Sequence, residues 1–112
     1  MRSQTRPQTK EALVVDNNEE ESKVLASLLQ RAGHHPTTTW SGLEALELLK
    51  ARKFDIVLIS SYLPDLYVGD FFERFNRLPV QPCTIVIQEG QGHAATLMKV
   101  RSMMGEEVYL TN

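Results

Sequence analysis

Two residues hold the best positions for chemistry. Asp16 closes the apolar run Ala12-Leu13-Val14-Val15, and Ser60 closes Ile56-Val57-Leu58-Ile59. A carboxylate can hold a cation or move a proton, whereas a neutral serine hydroxyl is a poor nucleophile unless a base stands beside it. The turn after the first run reads Asp16-Asn17-Asn18-Glu19-Glu20-Glu21. It has no glycine that would let backbone amides cradle a phosphate, and its four carboxylates would repel one. Dinucleotide and P-loop chemistry are therefore ruled out. The absence of a Cys-x-x-Cys pair and of a Gly-x-Ser-x-Gly elbow removes dithiol redox and the usual serine-hydrolase arrangement. His34 and His35 are adjacent in an extended segment and point to opposite faces, and His93 lies beyond the fourth apolar run. All three read as surface histidines and not as metal ligands. Cys83, at the start of a buried run, reads as a small apolar core residue.

The elements that must position Asp16 and Ser60 alternate along the chain. Ala12–Val15 is the pattern of a strand covered on both faces. A helix follows: Glu19, Glu20 and Glu21 favour its positive end, Val24, Leu25, Leu28, Leu29 and Ala32 recur on one side, and Gly33 stops it. His34–Thr39, with Pro36, predicts an edge strand. Ser41 is placed to cap a second helix striped by Leu43, Ala45, Leu46 and Leu49 and ending near Arg52. Phe54–Ile59 predicts the central strand. Val68, Phe71, Phe72, Phe75 and Leu78 mark a third helix, Thr84–Ile87 a fourth strand, Leu97, Val100 and Met104 a fourth helix stopping at Gly105, and Val108–Leu110 a fifth strand.

Strands alternating with helices imply parallel strands joined by right-handed crossovers, with helices on both sheet faces. The fold class is thus α/β, a flavodoxin-like doubly wound parallel sheet of five strands in the order 2-1-3-4-5. In such sheets ligands gather outside the carboxyl ends of strands 1 and 3, where the winding reverses, which is where Asp16 and Ser60 meet.

The chain has 112 residues, 42% hydrophobic and 23% charged, with a formal charge of −2. That is one globular domain, or one piece of a larger protein. So balanced a charge gives no reason to expect nucleic acid as the main partner. Residues 1–10 carry Arg2, Arg6 and Lys10 without an acid and read as a mobile, solvated arm before a domain spanning 11–112. No apolar stretch approaches the roughly 20 residues that span a bilayer, no signal-peptide core opens the chain, and the lone Cys83 fits a reducing cytoplasm.

The segments Leu13-Val14-Val15-Asp16-Asn17, Phe54–Ile59 followed by Leu63-Pro64-Asp65 and Gly69, Pro82–Ile87, and Gly105–Thr111 occur in one order and at one set of spacings. Together they resemble the receiver domain of bacterial two-component response regulators, and the likeness covers Ala12 to Asn112. The resemblance implies a site in which two acids after strand 1 and an aspartate after strand 3 hold Mg²⁺, and the strand-3 aspartate takes a phosphoryl group from a histidine kinase. A hydroxyl residue after strand 4 and a lysine after strand 5 would contact that group, and an aromatic residue in strand 5 would report the switch. Position by position, the first acid is Asp16, the second falls on Asn17, the acceptor on Ser60, the hydroxyl on Gln88 and the lysine on Asn112; the aromatic is Tyr109. Only Asp16 and Tyr109 fit.

An acyl phosphate forms only on a carboxylate, and Mg²⁺ asks for one or two carboxylates together with phosphate oxygens. The expectation is therefore a degenerate receiver, not an enzyme, with Mg²⁺ binding weak or absent and Asp16 its one residual ligand. It would work as a phosphorylation-independent interaction or dimerisation module. Met98, Met103 and Met104 of the fourth helix, with Tyr109, are the candidate interface, because methionine suits adaptable contacts. The partner would be another protein or a second copy, with a histidine kinase or a fused output domain as candidates, and neither nucleic acid nor membrane. Asp65, five residues past Ser60, is a conceivable relocated acceptor but reads more simply as a turn residue or a cap for the third helix. The asparagines, serine and glutamine of the crevice could also hydrogen-bond an uncharged small molecule. On the family's pattern the chain stops after strand 5, before a fifth helix, so the uncovered sheet face is expected to be shielded by a second copy, the arm or a partner.

Overall fold

A computed structural model describes residues 9–87 and 93–103. In chain order the elements are β1 (Glu11–Val15), α1 (Glu19–Arg31), β2 (His35–Thr39), α2 (Gly42–Ala51), β3 (Ile56–Ser60), α3 (Val68–Phe75), β4 (Cys83–Ile87) and α4 (His93–Met103). Four parallel strands pair in the order β2-β1-β3-β4. The expected fifth strand and the stop at Gly105 lie outside the described residues.

Alternate residues of β1 and β3 supply two separate cores. Leu13, Val15, Val57 and Ile59 pack with Ala45 and Leu46 of α2 and Phe71 and Phe75 of α3. Ala12, Val14, Ile56 and Leu58 pack on the other face with Leu25 and Leu29 of α1, Ile85 and Ile87 of β4, and Val100 of α4. This two-sided burial is why both strands read as continuous apolar runs and not as alternating ones. The third helix seats its aromatic stripe on the sheet, with Phe71 stacked on Phe75 at 5.8 Å and meeting Phe72 edge-on at 5.4 Å.

Gly33 ends α1 at φ 90°, and the Gly33 and His34 amides donate to the carbonyls of Gln30 and Leu29. These two bonds make a Schellman motif, which only glycine closes without strain. The same motif overturns the surface reading of His34. The residue after the left-handed position folds back on the helix, and His34 is 3% exposed while His35 faces solvent.

Three other expectations are corrected. Cys83 is exposed, because β4 begins at the rim of the sheet and its core contacts come from Ile85, Val86 and Ile87. Val24 and Leu43 stay open on the outer flanks of α1 and α2, since a 3.6-residue period carries them off the face that Leu25 and Leu46 share. Strand β3 starts at Ile56, not Phe54, whose ring is buried below the end of the sheet with Arg52 above it at 4.6 Å.

Candidate functional site

The pairing of Val15 with Ile59 places the next residues, Asp16 and Ser60, side by side at the carboxyl ends of the two central strands. Asp16 is buried and anchored: its amide donates to the Thr39 carbonyl, and its Oδ1 accepts from the Asn18 amide at 3.0 Å. Asn18 in turn caps α1, its Oδ1 accepting from the Glu21 amide. Asp16 Oδ2 is enclosed and has no hydrogen-bond partner among the described residues. Asn17 points into solvent. Ser60 Oγ accepts from the Tyr62 amide at 3.2 Å, an ST-turn contact that starts the following loop.

Mg²⁺ is the cation the sequence resemblance implies, and the donors present do not fit it. The unmet Oδ2 of Asp16 is the one feature that would welcome a cation. Asn17 and Ser60 add no second anionic oxygen, and no cluster of three His, Cys, Asp or Glu side chains is found among the described residues.

Asp65 is absorbed by structure. Its Oδ1 accepts from the Gly42 amide at 2.9 Å, and its Oδ2 accepts from Ser41 Oγ at 2.8 Å and the Leu43 amide at 3.1 Å. Ser41 Oγ accepts from Glu44 N at 3.0 Å, so the first three amides of α2 are all satisfied. Asp65 therefore closes the start of the second helix, not the third. That helix, α3, has Tyr67 at its N-cap position and no side-chain cap. Gly42 permits the approach, because a Cβ there would meet Leu63 Cδ1 at 3.0 Å and Leu66 Cβ at 3.2 Å.

Partial burial pushes the Asp65 carboxyl up, but the bonds from Gly42, Leu43 and Ser41 outweigh it and hold the group below its ordinary range. A carboxyl depressed in the native state stabilises the fold above the unfolded pKa and loses that effect as pH falls through the native one. Asp65→Ala is expected to cost about 1–2 kcal/mol at neutral pH. In urea titrations the gap between wild type and variant should narrow below about pH 4; a constant gap would show that the cap's charge is irrelevant.

Against known proteins, a 58-residue stretch is 34% identical to the polar-differentiation response regulator DivK of Brucella ovis, covering 52% of this chain and 47% of that protein. The two-component response regulator ORR24 of Oryza sativa subsp. indica is 31% identical over 90 residues, 78% of this chain and 14% of that protein. A CheY-like receiver domain from Methylobacillus flagellatus superposes with a TM-score of 0.76 at 18% identity, over 86% of this chain and 99% of the other. The chain has the fold of response regulator receiver domains. A second solved receiver, from an HD domain-containing protein of Pseudomonas fluorescens Pf-5, gives a TM-score of 0.78 at 17% identity over 94% of this chain and 93% of its own. No family model matches the chain. The chain spans about half the length of the DivK relatives it matches.

Within this fold Asp16 and Ser60 stand at neighbouring strand ends, and Asn17 follows Asp16 with its side chain exposed. Gln88, Met104, Tyr109 and Asn112 lie outside the described residues, as does the side chain of Met103. Met98 is 38% exposed on α4, while Thr96 and Val100 turn inward. Sequence reasoning passed over three aromatics at this end of the sheet: Trp40 after β2, and Tyr62 and Tyr67 in the loop after β3. All three are largely exposed. Their signal was available, since each breaks the apolar periodicity next to a strand's carboxyl end.

Among the described residues no helix is long and apolar enough to cross a membrane.

Proposed function

We propose that this receiver belongs to a two-component signalling protein and has lost phosphoryl transfer, acting instead through protein contacts that do not depend on phosphorylation. The observation that carries the reading is the serine at the carboxyl end of β3. Ser60 cannot form an acyl phosphate, and its Oγ already takes the Tyr62 amide. The nearby carboxylate that could replace it, Asp65, spends both oxygens on α2. In this reading residues 108–110 add a fifth strand beside β4, completing the order 2-1-3-4-5, and Tyr109 with Met98 of α4 lies on the contact surface. The partner is a kinase, a fused output domain or a second copy, in the cytoplasm.

Incubation with acetyl phosphate and Mg²⁺ followed by intact mass measurement is expected to leave the mass unchanged. Gain of one phosphoryl group, abolished by Ser60→Ala or Asp65→Asn, would overturn the reading.

A cleft of about 500 Å³ beside Asp16 favours a second reading, in which a small uncharged ligand is sensed. Asn17, Ser22, Gln30 and Thr38 offer hydrogen bonds there, and Trp40 offers a stacking face. A thermal-shift screen of polar metabolites, repeated on Trp40→Ala, separates the two.

A further inference from the structure

The end of the sheet opposite Asp16 carries a surface that no role above uses. Where α2 stops and β3 and β4 begin, a groove of about 540 Å³ has an apolar floor of Phe54, Leu78, Pro79 and Pro82, with Val80 standing 71% exposed at its edge. Lys50, Arg52 and Lys53 rim it. A second groove of about 490 Å³ between α2 and α3 adjoins the first through the shared Lys50 and Leu78, and adds Arg74 and Arg77. Five cations, two of them in ion pairs, thus rim a trough made of two adjoining grooves on a chain whose net charge is −2.

The acids nearby neutralise only part of this ring. Glu47 pairs with Lys50 at 3.5 Å, and Glu44, which also lines the second groove, accepts from Thr39 Oγ1. Arg52 is held over the Phe54 ring by the Thr37 hydroxyl and by Glu11 at 3.8 Å, which fixes its guanidinium at the rim. Lys53, Arg74 and Arg77 make no ion pair among the described residues and are exposed. Unpaired cations beside an apolar floor select a ligand that is apolar on one side and acidic along its flanks.

We infer that this trough is a docking site for an acidic amphipathic segment of a partner protein, with leucine or phenylalanine against Leu78, Pro79 and Val80 and glutamate or aspartate against Lys53, Arg74 and Arg77. The site lies at the amino ends of the strands, so it stands whether or not the opposite crevice is phosphorylated.

Fluorescence anisotropy with a labelled helical peptide of leucine, phenylalanine and glutamate tests it, beside a control peptide with lysine at every glutamate. The wild-type chain is expected to bind the acidic peptide and not the basic one. Lys53→Glu combined with Arg77→Glu should weaken binding by more than about tenfold, and raising salt should do the same, because exposed charge pairs are screened. Val80→Ser should weaken it with little response to salt. Lys23→Glu, on α1, should change nothing. These positions are exposed, and urea melts of each variant verify the fold. Equal binding of both peptides, or indifference to the double charge reversal, overturns the proposal. It is also overturned if the trough variants abolish binding to phosphatidylglycerol vesicles while the peptide does not bind, or if they abolish a dimer seen by sedimentation, which would assign the trough to a membrane or to a second copy.

Discussion

Phe71→Ala is expected to remove about 3–5 kcal/mol of stability, the range for emptying a buried phenylalanine site. The ring is fully enclosed, stacks on Phe75, meets Phe72 edge-on, and belongs to the core that Val57 and Ile59 of β3 share with α2. Small domains hold only about 5–15 kcal/mol in all, so the variant should sit at or near the threshold of folding. Equilibrium urea unfolding followed by tryptophan fluorescence and by far-ultraviolet circular dichroism would show an early or missing transition. Phe72→Ala, whose ring is only partly buried, should cost less. A Phe71→Ala midpoint within error of wild type would mean that α3 is not seated on the sheet as described.

Restoring acids at the crevice should produce the second large effect. Asn17→Asp with Ser60→Asp would place two further carboxylates beside Asp16, which already carries an unmet, enclosed oxygen. Without a cation the three would repel one another, and the variant should unfold at a lower temperature than wild type. Mg²⁺ should then reverse the loss, by about 2.7 kcal/mol at a hundred times its Kd. Thermal unfolding with and without Mg²⁺ is expected to show this response in the double variant, none in wild type, and none when Asp16→Asn is added. A wild-type response as large as that of the variant would sink the degenerate reading.

Residues whose partners are local were legible in the sequence. The Ser41 cap, the Gly33 stop and the doubly covered runs of β1 and β3 each follow from a few neighbours, and the adjacency of Asp16 and Ser60 follows from the topology those runs impose. Other features depended on distant chain. Asp65 looked like the start of the nearest helix, yet its partners lie 22–24 residues upstream, where Gly42 leaves room for the loop. Cys83 begins an apolar run whose first residue falls outside the cover of α4, and no local pattern marks that. His34 is the instructive exception. Its burial follows from the Schellman motif that Gly33 announces, so the signal was there and the polar character of histidine masked it.

The long reach of Asp65 also orders events in time. Helix α2 has its own Ser41, but the Gly42 and Leu43 amides find their acceptor only once residue 65 exists and β3 has delivered it. β1 likewise stays open on one edge until β3 pairs with it, because the strand made first lies in the interior of the sheet. A nascent chain that stops before Asp65 therefore holds an unfinished helix, and one that stops before β3 a bare strand edge, states prone to wrong pairing. Pulse-labelled hydrogen exchange during refolding should find Gly42 and Leu43 protected in the same phase as β3, and not with the rest of α2.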